Sequence, residues 1–182
     1  MKKIFSILFF IACLSCAAHA KEEKEPGLFA SWFTAMGRTL KSPTSYDIYR
    51  PVHVHHMRWN YSHEQIARYN ERPGGLGFGI SRTEERIEHS LYTLVFTDSN
   101  YYAQGVFGYS WMSKIFEPES FFNLSYGFTL SLQMRHEYNY IPAPLPLPLA
   151  GIDAGPISFQ GAYVPGWPGM GNVAIFWVRL KL

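Results

Sequence analysis

The segment FNLSYGFTLSL, residues 122–132, alternates large apolar side chains with small or polar ones. Successive side chains of a β-strand point to opposite faces, so this period of two predicts a strand with one wholly apolar face. The opposite face carries Asn, Ser, Gly and Thr and no charged residue. In a soluble sandwich that face would carry charges toward water. Small uncharged side chains instead favour the interior of a narrow barrel whose apolar face meets lipid.

The same alternation recurs along the chain. It is clear at 106–112 and at 174–182, and weaker at 47–59, 78–82, 90–98 and 156–164. A less regular segment at 145–153 brings the count to roughly seven or eight strands, and single-chain bacterial barrels have even numbers. We therefore predict an all-β fold, an eight-stranded antiparallel transmembrane β-barrel over residues 46–182.

The composition agrees with a lipid-facing wall. Aromatic residues make up 17% of the 182 residues and charged residues only 16%, against roughly 25% charged in an average globular chain. This balance argues against a nucleic-acid-binding protein, a coiled coil or a disordered chain. The mean hydropathy of -0.09 also argues against a bundle of membrane-spanning helices.

The N-terminal residues have the sequence pattern of an export signal. Two lysines precede an uncharged run at 4–14, and Ala-His-Ala follows at 18–20. This order predicts a secretory signal peptide over residues 1–20. Its removal takes away both cysteines, Cys13 and Cys16, and leaves equal numbers of basic and acidic residues. The alternative is a lipoprotein in which a lipid is attached to one of these cysteines. Neither cysteine is preceded by the expected Leu-x-small pattern.

The mature chain, residues 21–182, is predicted to begin with an amphipathic helix at 26–41. Apolar side chains including Trp32 and Phe33 recur at helical spacing, and Arg38 lies near the end. This composition suits a helix lying in a membrane interface. It suits equally an ordinary helix packed on a soluble core.

Prolines interrupt one predicted strand. They alternate through an otherwise extended segment, at Pro142, Pro144, Pro146 and Pro148. Because proline has no N–H to offer a neighbouring strand, this pattern predicts a gap in the hydrogen bonding of the barrel wall. Such a gap would be a lateral doorway for lipid.

Three histidines stand close together in the sequence. His53 and His55 would share one face of a strand and could begin a metal site, with Glu64 the nearest further ligand. His56 falls on the opposite face and could serve as a general base.

A polar triplet, Asp98-Ser99-Asn100, closes the apolar strand before it. Such triplets most often simply form a turn. The functional alternative is that Ser99, His56 and Asp98 form a hydroxyl, base and carboxylate group for acyl transfer. The spacing leaves both interpretations open.

A series of short blocks is more specific. In chain order they are YNERP at 69–73, GFG at 77–79, SR at 81–82, DS at 98–99, NYIP at 139–142, PLA at 148–150, GP at 155–156, FQ at 159–160, PG at 165–166 and GNV at 171–173. Together they make the chain, from about residue 46 to 182, similar to the PagP family of lipid A palmitoyltransferases. The resemblance implies an integral outer-membrane barrel with a periplasmic N-terminal helix. We expect it to act as a monomer, without a cofactor, metal or nucleic acid.

The resemblance also implies an activity and its residues. The activity is transfer of a palmitoyl chain from the sn-1 position of a glycerophospholipid to a hydroxyacyl chain of lipid A, at a site facing the outer leaflet. The catalytic His, Asp and Ser of the family fall on His56, Asp98 and Ser99. Prolines flank the two gaps in the family's barrel, and the matching residues here are Pro51, Pro73, Pro148 and Pro165.

Two positions depart from the expected pattern, and one of them is the last residue, Leu182, where outer-membrane barrels commonly end on an aromatic residue. The glycine at the floor of the family's acyl pocket corresponds here to Ser110, which we expect to point inward together with Gly108. The added hydroxymethyl group shortens the pocket, so we expect a preference at or slightly below sixteen carbons. Arg58, Arg72 and Arg82 are candidate anchors for lipid phosphates, although arginines in loops are more often simply solvated.

Two other functions remain open from sequence alone. A non-enzymatic small outer-membrane barrel, an adhesin or an envelope-stabilising protein, would keep the alternation and the helix without needing His56, Asp98 and Ser99 together. A soluble lipid carrier of lipocalin shape would require charged side chains on the outer faces of the strands.

Overall fold

The computed structural model describes residues 27–167 and 171–182, so the predicted signal peptide lies outside the described residues. Helix α1 (Leu28–Lys41) precedes the strands, helix α2 (His63–Arg68) follows the first strand, and a 3₁₀ turn (His136–Tyr138) follows the fifth. The strands are β1 (Ser45–His56), β2 (Gly75–Glu84), β3 (Ile87–Thr97), β4 (Ala103–Lys114), β5 (Phe122–Met134), β6 (Ala143–Ala154), β7 (Ile157–Val164) and β8 (Val173–Lys181). No helix in the described part of the chain is long and apolar enough to cross a membrane.

The eight strands form a closed barrel in chain order, and every neighbouring pair is antiparallel. The predicted fold class is therefore confirmed. In β5, Ser125, Thr129 and Ser131 are buried inside, whereas Phe122 and Tyr126 are exposed on the outside. This is the reverse of a soluble core, because the large apolar face of the strand is turned outward.

The two ends of the barrel differ. His56 closes β1 at one end, called here the site end, and the first residues of β1 lie at the opposite end. Inside the opposite half, Glu88 accepts hydrogen bonds from Arg179 and Lys181, and Lys114 lies 3.6 Å from it. The sequence analysis expected small uncharged residues inside, so this buried ionic cluster is a correction. Each cation lies against the Glu88 carboxylate, and such direct pairing of opposite charges is the condition for burying them.

Two ladders end early on the site side. Among the described residues, the β6–β7 ladder extends only from Ala154 and Ile157 to Leu149 and Ala162, so residues 143–148 of β6 have no β7 partner. The predicted gap at the alternating prolines is present. The β1–β2 ladder similarly ends at the pair of Tyr49 with Gly77, although the rest of β1 continues to pair with β8.

Candidate active site

The site end brings together a serine and a histidine that lie 43 residues apart. His56 is the last residue of β1, and Ser99 lies in the turn between β3 and β4. The hydroxyl of Ser99 lies 3.0 Å from Nε2 of His56, at the distance of a direct hydrogen bond. The imidazole ring is almost fully buried, with 3% of the residue exposed. A base is therefore within proton-transfer reach of a hydroxyl.

Glu71 supplies the carboxylate against the imidazole ring. Its Oε1 lies 3.1 Å from Nδ1 of His56 and also accepts the backbone N–H of His56 at 3.1 Å. This arrangement places a proton on Nδ1 and leaves Nε2 free to accept one from Ser99. The sequence analysis expected Asp98 in this position and missed Glu71, even though Glu71 lies within the YNERP block.

Glu71 is itself held by Arg58. The two guanidinium nitrogens of Arg58 donate to the two carboxylate oxygens of Glu71 at 2.8 and 2.7 Å. The side-chain hydrogen bond from Arg58 lowers the pKa of Glu71 to about 2. The carboxylate is therefore ionised at neutral pH and can stabilise a positive charge on the ring. Arg58, expected as a phosphate anchor, is engaged in this pair instead.

Two tyrosines fix the plane of the ring. Tyr69 stacks on His56 with ring centroids 4.6 Å apart, and Tyr61 meets the ring edge-on at 5.1 Å. The hydroxyl of Tyr61 donates to the backbone carbonyl of Gly171 at 2.6 Å. The orientation of His56 is thus set by packing on two sides in addition to the hydrogen bond to Glu71.

Asp98 shapes the turn that carries Ser99. Its Oδ1 accepts the backbone N–H groups of Asn100 and Tyr102 at 2.8 and 2.9 Å. Its Oδ2 is buried, has no hydrogen-bond partner among the described residues and lies 3.8 Å from the guanidinium of Arg135. The expected contact of Asp98 with the imidazole is therefore replaced by one from Glu71, because two backbone donors of the turn hold the Asp98 carboxylate.

The other sequence candidates lie elsewhere. His53 and His55 point to the outer face of β1, with His53 stacked at 6.3 Å on Phe176 of β8. The described residues contain no group of three or more metal-ligating side chains. Arg82 bonds Glu84 and the carbonyl of Ser42 at the opposite end of the barrel.

An apolar cavity lies inside the barrel. Its lining comes from seven of the eight strands and includes Pro51, Tyr92, Leu94, Phe96, Val106, Thr129, Ser131, Gln133, Leu147, Ala162, Ile175 and Trp177. The hydroxyl of Tyr92 lies 2.6 Å from Oγ1 of Thr129. The ring of Tyr92 crosses in front of Gly108, where a Cβ would come within 2.5 Å of the hydroxyl. Ser110 is buried on the same inward face and pairs in register with Thr129.

A closed eight-stranded barrel with an apolar cavity, two incomplete seams and a partly buried Ser–His pair at one end defines a membrane barrel equipped for acyl-transfer chemistry. The model of the family "Antimicrobial peptide resistance and lipid A acylation protein PagP" matches residues 36–179. The chain belongs to the PagP family, and both the family and the fold fit an outer-membrane β-barrel.

Individual relatives match over nearly their whole length. A protein of Citrobacter rodentium named "Lipid A acyltransferase PagP" is 39% identical, over 99% of this chain and 95% of its own. Proteins of the same name are 36% identical in Salmonella typhi, over 100% and 96%, and 37% identical in Erwinia amylovora, over 97% and 98%.

Proposed function

We propose that the protein is a lipid A acyltransferase. It moves a palmitoyl chain, or a slightly shorter one, from the sn-1 position of a glycerophospholipid to a hydroxyacyl chain of lipid A. The observation that carries the proposal is the 3.0 Å contact between Ser99 and His56 on the same side of the barrel as Phe96 and Gln133 of the cavity wall. The names of the family and of its relatives support the same activity.

The transfer conserves atoms and charge. Nε2 of His56 takes the proton of Ser99 as Oγ attacks the acyl carbonyl carbon, and the donor ester bond breaks. His56 returns that proton to the departing glycerol oxygen, which releases a lysophospholipid. The hydroxyl of lipid A then gives its proton to His56, attacks the acyl-serine and forms the new ester. Ser99 regains its proton from His56.

Glu71 and Asp98 act as positioning residues. Glu71 holds the Nδ1 proton in place and stabilises the imidazolium that forms during transfer, because it stays ionised. Asp98 fixes the turn that presents Ser99. Both substrates reach the site from the membrane through the incomplete seams, one flanked by Pro51 and Pro73 and the other by Pro148 and Pro165. The site faces the outer leaflet, and the protein acts as a monomer.

A barrel embedded in the membrane suits insoluble substrates. Exposing an acyl chain to water costs about 0.8 kcal/mol for each methylene, so a soluble enzyme would face a large barrier to extracting palmitate. The cavity walls of Leu94, Val106, Leu147 and Trp177 keep the chain in apolar surroundings throughout.

The test is expression in a bacterium that lacks this activity, followed by mass spectrometry of lipid A. We expect a gain of one acyl chain, lost in Ser99→Ala and His56→Ala and retained in His55→Ala, whose side chain lies on the outer face. Intact-protein mass spectrometry with phospholipid but no acceptor should show the acylated serine. An unchanged lipid A pattern from a correctly folded barrel would instead favour the non-enzymatic barrel.

A further inference from the structure

A second apolar groove lies on the outside of the barrel wall. It is lined by Leu124, Ser125, Ala150, Gly151, Ile152, Phe159, Gly161, Ala162, Tyr163, Ala174 and Phe176, and so crosses β5 to β8. Ala150, Ile152 and Phe159 are exposed on the lipid-facing side of their strands. The groove therefore opens toward the hydrocarbon of the membrane and not toward the barrel interior.

The groove has a narrow floor and aromatic sides. Ala150, Gly161 and Ala174 give the floor little side-chain bulk. Phe176 lies across Gly161, where a Cβ would approach its ring to 2.9 Å, and stacks on Phe159 at 5.6 Å. Because the two stacked rings stand beside small residues, the outer surface of the wall has a defined groove here and is not uniformly smooth.

Among the described residues, the groove and the interior cavity share one lining residue. Ala162 lines both of them. It also forms, with Leu149, the last pair of the β6–β7 ladder on the site side. Beyond this pair, residues 143–148 of β6 have no partner in β7. The interior cavity and the outer groove thus lie on the two faces of the same sheet, at the place where the β6–β7 ladder ends.

We propose that the outer groove binds the second acyl chain of the phospholipid donor while the first chain lies inside the barrel. This inference rests on the proposed function. The two acyl chains of a glycerophospholipid are attached to adjacent glycerol carbons. A single molecule can therefore place its chains on the two faces of a sheet only where the sheet has an open end. Seating the second chain in the groove fixes the glycerol, and thereby the scissile ester, relative to the site.

The test compares donors that share an sn-1 palmitoyl chain and differ in the sn-2 chain, from acetyl to palmitoyl, at a fixed fraction of mixed micelles. We expect the transfer rate of the unaltered protein to rise with sn-2 length. In Ala150→Trp, which fills the groove, the rate with the long sn-2 donor should fall about five- to tenfold, while the rate with the acetyl donor stays unchanged. Ala174→Trp provides a second filling variant.

The matched control is Val95→Trp, which adds the same ring to a lipid-facing position of β3 that is 61% exposed and outside the groove. It should keep the dependence on sn-2 length. Equal slowing of all donors by both groove variants, or a rate of the unaltered protein that ignores sn-2 length, would overturn the inference. Absence of transfer from every donor by the unaltered, folded protein would instead overturn the proposed function, and the inference with it.

Discussion

Replacing Glu71 by glutamine tests whether this carboxylate, and not Asp98, supports His56, the histidine proposed as the general base. The substitution keeps the size of the side chain but removes the charge that faces Nδ1 of His56 at 3.1 Å. It also breaks the paired hydrogen bonds from Arg58. We expect kcat to fall with little change in KM, because the imidazolium is present during transfer and not in the resting enzyme.

The size of the effect follows from the kind of bond that is lost. A hydrogen bond to a charged group contributes about 1.5–3 kcal/mol. At about 1.4 kcal/mol per factor of ten, this corresponds to a roughly 10- to 150-fold lower kcat. The expected loss is smaller than that for Ser99→Ala, because Tyr61 and Tyr69 still hold the ring in place.

The assay is the pH dependence of transfer from labelled phospholipid to lipid A in micelles. With a pKa of about 2, Glu71 stays ionised through the working pH range, so an acid limb reports His56. Loss of the negative charge makes the ring harder to protonate, so the base form persists to lower pH and the limb moves in that direction. Glu64→Gln, an exposed carboxylate on α2, should change neither rate nor limb. An unchanged Glu71→Gln profile together with a shifted Asp98→Asn profile would refute the reasoning.

Three further substitutions test the interior. Glu88→Leu leaves Arg179 without its buried partner and should cost about 3–5 kcal/mol of unfolding free energy, measured by urea unfolding in micelles; an unchanged midpoint would contradict this. Ser110→Gly should favour longer donor chains, by roughly tenfold in relative rate for each methylene admitted, as read by mass spectrometry of lipid A after supply of mixed donors. In the same assay Gly108→Ala should favour shorter chains, because the new Cβ displaces the ring of Tyr92 into the cavity; no change in chain length would exclude such a limit.

The strands were predictable because a single rule governs every wall residue. Segment 122–132 falls within β5 and segment 106–112 within β4, since side chains there must alternate between lipid and interior. The weaker signal at 78–82 underestimated β2, which continues at both ends. Its glycines have no side chain that would be either apolar or polar, so they add nothing to the alternation from which the strand is predicted.

The contacts of the site were less predictable because they join distant segments. Glu71 reaches His56 across the loop that contains α2, and its role depends on how that loop folds back. Helix α2 has only six residues, which are too few to show a helical period in the sequence. The available signal was local: Ser62 and Gln65 form a capping box, with each side chain bonded to the other's backbone N–H.

The contact between the buried charges was also unpredictable from sequence, because it too joins distant segments. Glu88 and Arg179 are 91 residues apart, and each is a single charge in a different strand. Only closure of the barrel through β1 and β8 places them together. From sequence, each inward charge looks like an exception to the alternation, whereas in the structure Glu88 and Arg179 form an ion pair.

The asymmetry between the two ends connects stability with function. Opening a seam between strands sacrifices ladder hydrogen bonds in a medium that cannot replace them, so a barrel open at one end must be held firmly elsewhere. The ionic cluster around Glu88 ties β3, β4 and β8 together in the opposite half. Changes in that cluster should therefore act on the stability of the whole barrel. Changes beside Leu149 and Ala162, where the β6–β7 ladder ends, should act on how lipid reaches the serine and histidine.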